Sequence, residues 1–320
     1  MPKLVPTTQT GSLTDHQHGT DDTLVVAVGG QPFYGDALSM FDTARGGDDV
    51  LIGADPLFNI LDGDAGQMHD HSRGGSDHLI GADNSFNFLI GDAFAMDGAS
   101  RGGDDTLTGG LNSLNELFGD AYSLSGNAHG GNDTLTGGTG IFTPPFSDPT
   151  ILEYGDAFAM HDHARGGDDT LVGGFGQAVY LYGDARTLDG DSRGGNDTLI
   201  ADSGSYLYGD AFSLSGSARG GDDILVSGRF TDNMWGDAQV IDGSAVSTGA
   251  DTYVFGPGSG TDYIHDFRQG DHDRIDVRAY DFHDISDLTI VGNAIEFDAF
   301  NRVVLVGFDG TLHASDFIFA

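Results

Sequence analysis

The sequence predicts an all-β fold: a parallel β-solenoid of about eight rungs of ~28 residues, closed by a C-terminal β cap. Three observations carry this expectation. Two sequence elements recur with one shared period, and three apolar columns keep fixed places within it. The third is that 52 of the 320 residues are glycine, which favours repeated tight turns over long helices.

The period is read from two ladders. Gly-Asp-Ala begins at Gly35, Gly63, Gly91, Gly119, Gly155, Gly183, Gly209 and Gly236, in steps of 28, 28, 28, 36, 28, 26 and 27. A second element, of the type RGGDDTL, places an aspartate two residues before a leucine at Asp22, Asp49, Asp77, Asp105, Asp133, Asp169, Asp197 and Asp223. Both ladders stretch in the same rung, where TGIFTPPFSDPTILEY inserts eight residues. The expected organisation is a lead-in over 1–18, repeats over 19–248 with the insertion at about 139–154, and a distinct C-terminal region over 249–320.

The apolar columns give the strands. The first is Leu24, Leu51, Leu79, Leu107, Leu135, Leu171, Leu199 and Leu225; the second, two residues before Gly-Asp-Ala, includes Leu61, Leu89, Leu117, Leu181 and Leu207. The third is Met40, Met68, Met96, Leu124, Met160, Leu188, Leu214 and Ile241. Each lies in a segment too short for a helix and right for a strand. One rung cannot bury its own leucines, but stacked rungs bury a continuous ladder. Because leucine and isoleucine share the methionine column, methionine reads there as a filler of an irregular corner rather than as a thioether ligand.

Charge narrows the partners. Fifty acidic against 13 basic side chains leave a net charge of −37, which argues against a nucleic-acid partner. There is no cysteine, so neither disulfides nor thiolate sites are expected. No run approaches the ~18 apolar residues of a spanning helix, and MPKLVPTTQTGSL lacks the apolar core of a cleaved signal peptide.

The acids are 47 aspartates and only three glutamates, Glu116, Glu153 and Glu296. A short, stiff carboxylate suits ligation by turns. Stacked rungs would superpose Asp22, Asp49, Asp77, Asp105, Asp133, Asp169, Asp197 and Asp223 in one column. They would superpose Asp36, Asp64, Asp92, Asp120, Asp156, Asp184, Asp210 and Asp237 in another. Such columns repel unless something compensates. Two carboxylate columns beside carbonyls freed by glycine form a hard-oxygen environment suited to Ca2+ more than to magnesium. Six of the twelve arginines, Arg45, Arg73, Arg101, Arg165, Arg193 and Arg219, precede the Gly-Gly pair, with His129 once in that place. They are expected to act as counter-charges bridging the aspartates, the lesser alternative being a stripe for an acidic partner.

GGDDTLTGG, GGNDTLTGG and LYGDA resemble the RTX, or hemolysin-type, calcium-binding repeats of exported bacterial proteins, whose nonapeptide is G-G-x-G-x-D-x-U-x. Aligned on Asp105 and Leu107, Gly103 takes the fourth position, while Ser100 and Arg101 replace the first two glycines. The resemblance therefore implies calcium ligation by the Asp22 to Asp223 column first and by the Asp36 to Asp237 column second. It also implies a β-roll; because the rung exceeds the family's usual length, a larger cross-section is expected, a three-sided one being one form it could take. GADTYVFGPGSGTDYIHDF, RIDVRAYDF, ISDLTIVG and ASDFIFA resemble the C-terminal region of serralysin-type proteins. That resemblance implies a cap carrying an uncleaved signal for a type I ABC exporter, ending in Asp316, Phe317, Ile318 and Phe319, and hence a secreted, extracellular protein.

No catalytic motif accompanies it. Neither H-E-x-x-H nor G-x-S-x-G occurs, and the pairs His16/His18, His69/His71 and His161/His163 fall on separate rungs. The expected function is a non-catalytic, calcium-dependent matrix, surface or adhesive component with an extracellular polysaccharide or cell-surface partner. A polysaccharide-active enzyme and an ice-binding solenoid are the alternatives, although the column Thr23, Thr106, Thr134, Thr170 and Thr198 is interrupted by Val50, His78 and Ile224. The insertion, with Phe142, Pro144, Pro145 and Phe146, is the aperiodic candidate for a partner site.

Overall fold

The structure, a computed structural model, describes residues 3–5, 11–26, 30–54, 58–139, 150–175, 178–243 and 247–320. The insertion's Phe142, Pro144, Pro145 and Phe146 lie outside the described residues.

One rung shows how the chain coils. Leu114–Phe118, Ala121–Leu124 and Thr134–Thr136 each lie in a different parallel stack. The described strands form two twelve-stranded sheets and one nine-stranded sheet, so the solenoid is three-sided. Register follows the sequence period: Leu107 lies between Leu79 and Leu135, and Met96 between Met68 and Leu124. The eight-residue insertion leaves this register intact, because Leu135 pairs directly with Leu171 beyond it.

Alternation explains the burial. In Thr106–Thr108 the middle Leu107 points inward while Thr106 is exposed. The leucines of two faces form one core cluster, and the methionine column packs with the alanines of Gly-Asp-Ala in another. A third column stacks Phe118, Tyr154, Tyr182, Tyr208 and Trp235, with ring centroids 4.7 to 4.9 Å apart and planes within 14°. Neighbouring rungs cover the faces of these rings, so the column works as packing and offers no open face on which a sugar could stack.

The corner after the methionine column needs a left-handed residue. Glycine supplies it at Gly98, Gly126, Gly190 and Gly216, with φ of 70 to 72°, and aspartate at Asp42, Asp70 and Asp162, with φ of 58 to 61°.

Past the last full repeat, Thr252–Val254 and Arg274–Asp276 continue one sheet and Thr261–Ile264 another. An antiparallel hairpin, Thr289–Val291 with Ala294–Glu296, ends the second sheet. The chain end docks as well: Phe317 is buried opposite Ile275, and Asp316 accepts hydrogen bonds from Gln269 Nε2 at 2.6 Å and the His313 amide at 2.7 Å. No helix among the described residues is long and apolar enough to cross a membrane.

Candidate functional site

Both aspartate columns run inside the solenoid. Fourteen of their sixteen members, from Asp49 to Asp237, are buried at 2% exposure or less, while Asp22 and Asp36, in the outermost rungs, are partly exposed. The carboxylates are held by backbone amides. In the first column each aspartate N–H donates to Oδ1 of the aspartate one rung on, from Asp22 through Asp223, at 2.6 to 3.0 Å. In the second, the aspartate of Gly-Asp-Ala accepts the N–H of the second glycine of the Gly-Gly pair. Asp92 thus holds Gly103 at 3.0 Å and Asp120 holds Gly131 at 2.7 Å. This link explains why the two elements share a period: each Gly-Asp-Ala anchors the glycine turn of its own coil.

One oxygen of most of these carboxylates is left over. Among the described residues Oδ2 meets no N–H or hydroxyl donor in Asp49, Asp77, Asp105, Asp133, Asp169, Asp197 and Asp223, nor in Asp92, Asp120, Asp156, Asp184 and Asp210. Glycine keeps the space around them open: a Cβ on Gly91 would collide with the Asp105 carboxylate and the Gly119 carbonyl, and one on Gly102 with both Asp120 and Asp92.

The electrostatics pair the columns rung by rung. Burial raises the pKa of Asp92, and the negative charge of Asp105 adds most to it. The same relation joins Asp120 to Asp133, Asp156 to Asp169, Asp184 to Asp197 and Asp210 to Asp223. Burial, helped by the negative charges of Asp36, Asp22 and Asp21, pushes Asp49 up to about 8, against a hydrogen bond from the Asp22 amide that lowers it. Removing two carboxylates from water side by side is costly unless protons or cations neutralise them. Among the described residues no three His, Asp or Glu side chains converge on one point. Each rung therefore offers a cation two carboxylates and backbone carbonyls, a hard-oxygen donor set that fits calcium in chemistry.

Several residues stand elsewhere than expected. The arginine column faces solvent: Arg45, Arg73, Arg101, Arg165, Arg193 and Arg219 are exposed. None lies within 4.0 Å of a carboxylate among the described residues. The expected bridging fails because the aspartates point inward, away from the guanidinium groups. The histidine pairs, expected as solvated turn residues, lie at the surface. His69 Nδ1 meets Asp97 Oδ1 and His161 Nδ1 meets Asp189 Oδ2, each at 2.9 Å and one rung away.

Two features went unnoticed in the sequence. Asp251 and Asp273 extend the first column into the cap, with the Asp223 N–H donating to Asp251 at 3.0 Å and the Asp251 N–H to Asp273 at 3.2 Å. The spacing Asp251-Thr252-Tyr253 carried that signal. Glu153 occupies the second leucine column, between Leu117 and Leu181, fully buried, with the Gly137 amide lowering a pKa that burial raises well above the ordinary range. Its place two residues before Gly155 gave it away.

No family model, curated protein or solved structure matches the chain.

Proposed function

We propose that the chain is an extracellular, non-catalytic calcium-binding β-solenoid of the RTX kind, serving as a matrix, surface or adhesive component. The observation that carries this reading is the pair of buried carboxylate columns with an unpartnered Oδ2 in rung after rung. Asp64 with Asp77, Asp92 with Asp105, Asp120 with Asp133 and their equivalents are the residues that would hold the ions. Bound calcium supplies the positive charge that lets both carboxylates of a rung stay ionised. The chain's own part is to fix Oδ1 with backbone amides and to keep Oδ2 beside bare glycines.

Extracellular calcium modules bind with dissociation constants of ~10⁻⁴ to 10⁻³ M. On this reading the chain stays unfolded where calcium is scarce, is threaded by a type I exporter that reads its C-terminal segment, and folds outside. The test is a calcium titration followed by far-ultraviolet circular dichroism. A cooperative gain of strand signal supports the reading, and a full strand signal in excess chelator at neutral pH rejects it.

A further inference from the structure

The arginine column needs an account of its own. Parallel bridges join Arg45 to Arg73, Arg73 to Arg101, Arg165 to Arg193 and Arg193 to Arg219, so successive arginines stand one rung apart, ~4.8 Å, along the solenoid axis. They carry half of the chain's twelve arginines. Stacking like charges at this spacing is unfavourable, and in a chain of net charge −37 carboxylates are not scarce. Yet no carboxylate among the described residues approaches these guanidinium groups within 4.0 Å.

The three arginines Arg165, Arg193 and Arg219 line a surface groove of about 410 Å³ with His163, Asp191 and Ser217. The one carboxylate there, Asp191, is turned to His163 Nε2 at 3.7 Å. Between the two arginine runs sits His129, whose pKa is lowered by burial and by Arg101 and Arg165. The result is two linear runs of three unpaired guanidinium groups, each with forked donors free for oxyanions.

We infer that this stripe, above all the groove at Arg165, Arg193 and Arg219, docks a linear acidic polysaccharide carrying uronic-acid carboxylates along the solenoid axis. A linear polymer fits because the donors repeat in a line. A single-chain polyanion with one carboxylate per sugar fits better than duplex DNA, which carries one charge per ~1.7 Å of its axis. The exposed carboxylates Asp104, Asp168 and Asp222 belong to the neighbouring column, three residues along the chain from the arginine position, and with the net negative charge they repel a densely charged strand. The inference goes beyond calcium binding and depends on the fold alone.

The experiment uses the full chain and a fluorescently labelled oligogalacturonide, with anisotropy read at low salt. Circular dichroism verifies the fold in each buffer, with calcium and with chelator, so a failure of calcium-coupled folding is seen separately. The expected result is saturable binding that weakens as salt rises, is absent for a neutral glucan oligomer, and falls roughly tenfold or more in the triple variant Arg165→Gln, Arg193→Gln, Arg219→Gln. Arg229→Gln, an exposed arginine off the stripe, should leave it unchanged, and lysine at the three positions should restore only part of it. A folded wild type that does not bind, a triple variant that binds as tightly, or equal binding of a single-stranded oligonucleotide would each overturn the inference.

Discussion

The backbone N–H of Asp77 donates to Oδ1 of Asp105, one rung on, at 2.7 Å, and Asp105 Oδ2 stays buried without a partner. One oxygen of the same side chain is structural and the other is spare. That division separates two effects of substitution. Asp105→Asn keeps the acceptor and removes the charge, so it should stabilise the chelated protein while weakening calcium binding locally. Asp105→Ala leaves the Asp77 amide unpaired and should destabilise by about 1 to 3 kcal/mol in either condition. Asp104→Asn, at an exposed neighbour, is the control. Denaturant melts of all three in calcium, and their strand signal in chelator at mildly acidic pH, decide, and identical behaviour of the two Asp105 variants would count against the division.

Acid should replace calcium in part. The buried aspartates have folded pKa values raised above their unfolded ones, to about 6 for Asp120, about 7 for Asp184 and about 8 for Asp49, burial being the first cause in each. Between the ordinary carboxylate range and those values the folded state binds more protons than the unfolded state. Their stabilising contribution is therefore complete below about pH 4 and is lost as pH rises towards 8. In chelator, the strand signal should grow as pH falls through this window. A metal-free fold that weakens steadily on acidification would contradict the burial of the columns.

Glu153→Leu should stabilise the protein. The substitution continues the column of Leu117 and Leu181 and removes a carboxyl whose pKa burial holds well above the ordinary range. The gain should be about 2 kcal/mol or more at neutral pH, should shrink as pH falls towards ~4.5, and should level off below it, where the glutamate is protonated in both states. Thermal melts across this range provide the check; an unchanged melting temperature at neutral pH would show that Glu153 has a partner.

Gly91→Ala should cost more than about 3 kcal/mol, because its methyl meets the Gly119 carbonyl and the Asp105 carboxylate together. Gly11→Ala, which meets nothing within 4 Å, should change little. Chemical denaturation of the two variants in calcium measures the contrast.

The proposed export role of the C-terminal segment can be separated from its packing. Deleting residues 316–320 should block export through the cognate transporter. It should also lower the melting temperature of the purified chain, since Phe317 packs against the cap and Asp316 holds Gln269. Ile275→Ala, which removes the packing partner of Phe317 from outside that segment, should lower stability alone. Secretion of the truncated chain at normal yield would reject the address, and unaltered melting would reject the packing role.

The rung length, the strand positions and the inward leucines were legible because a solenoid is quasi-one-dimensional: the residue that packs on Leu107 is its own repeat, Leu135, and a period in sequence becomes a contact in space. The alignment of the aspartates into two columns was legible for the same reason. Which way they face was not. Period alone places Asp105 above Asp77 without saying whether the carboxylate meets water, an arginine or the interior. The structure turns both columns inward, because Oδ1 is needed by the amide of the preceding rung and Oδ2 fits only beside a glycine that lacks a Cβ. That inward turn leaves Arg165, Arg193 and Arg219 unpaired on the surface and the buried oxygens in need of protons or cations. By itself the sequence determined the coil, since coil contacts join equivalent residues. Only the tertiary structure decided the site, since it depends on side-chain direction around a corner where contacts join residues that are not equivalent.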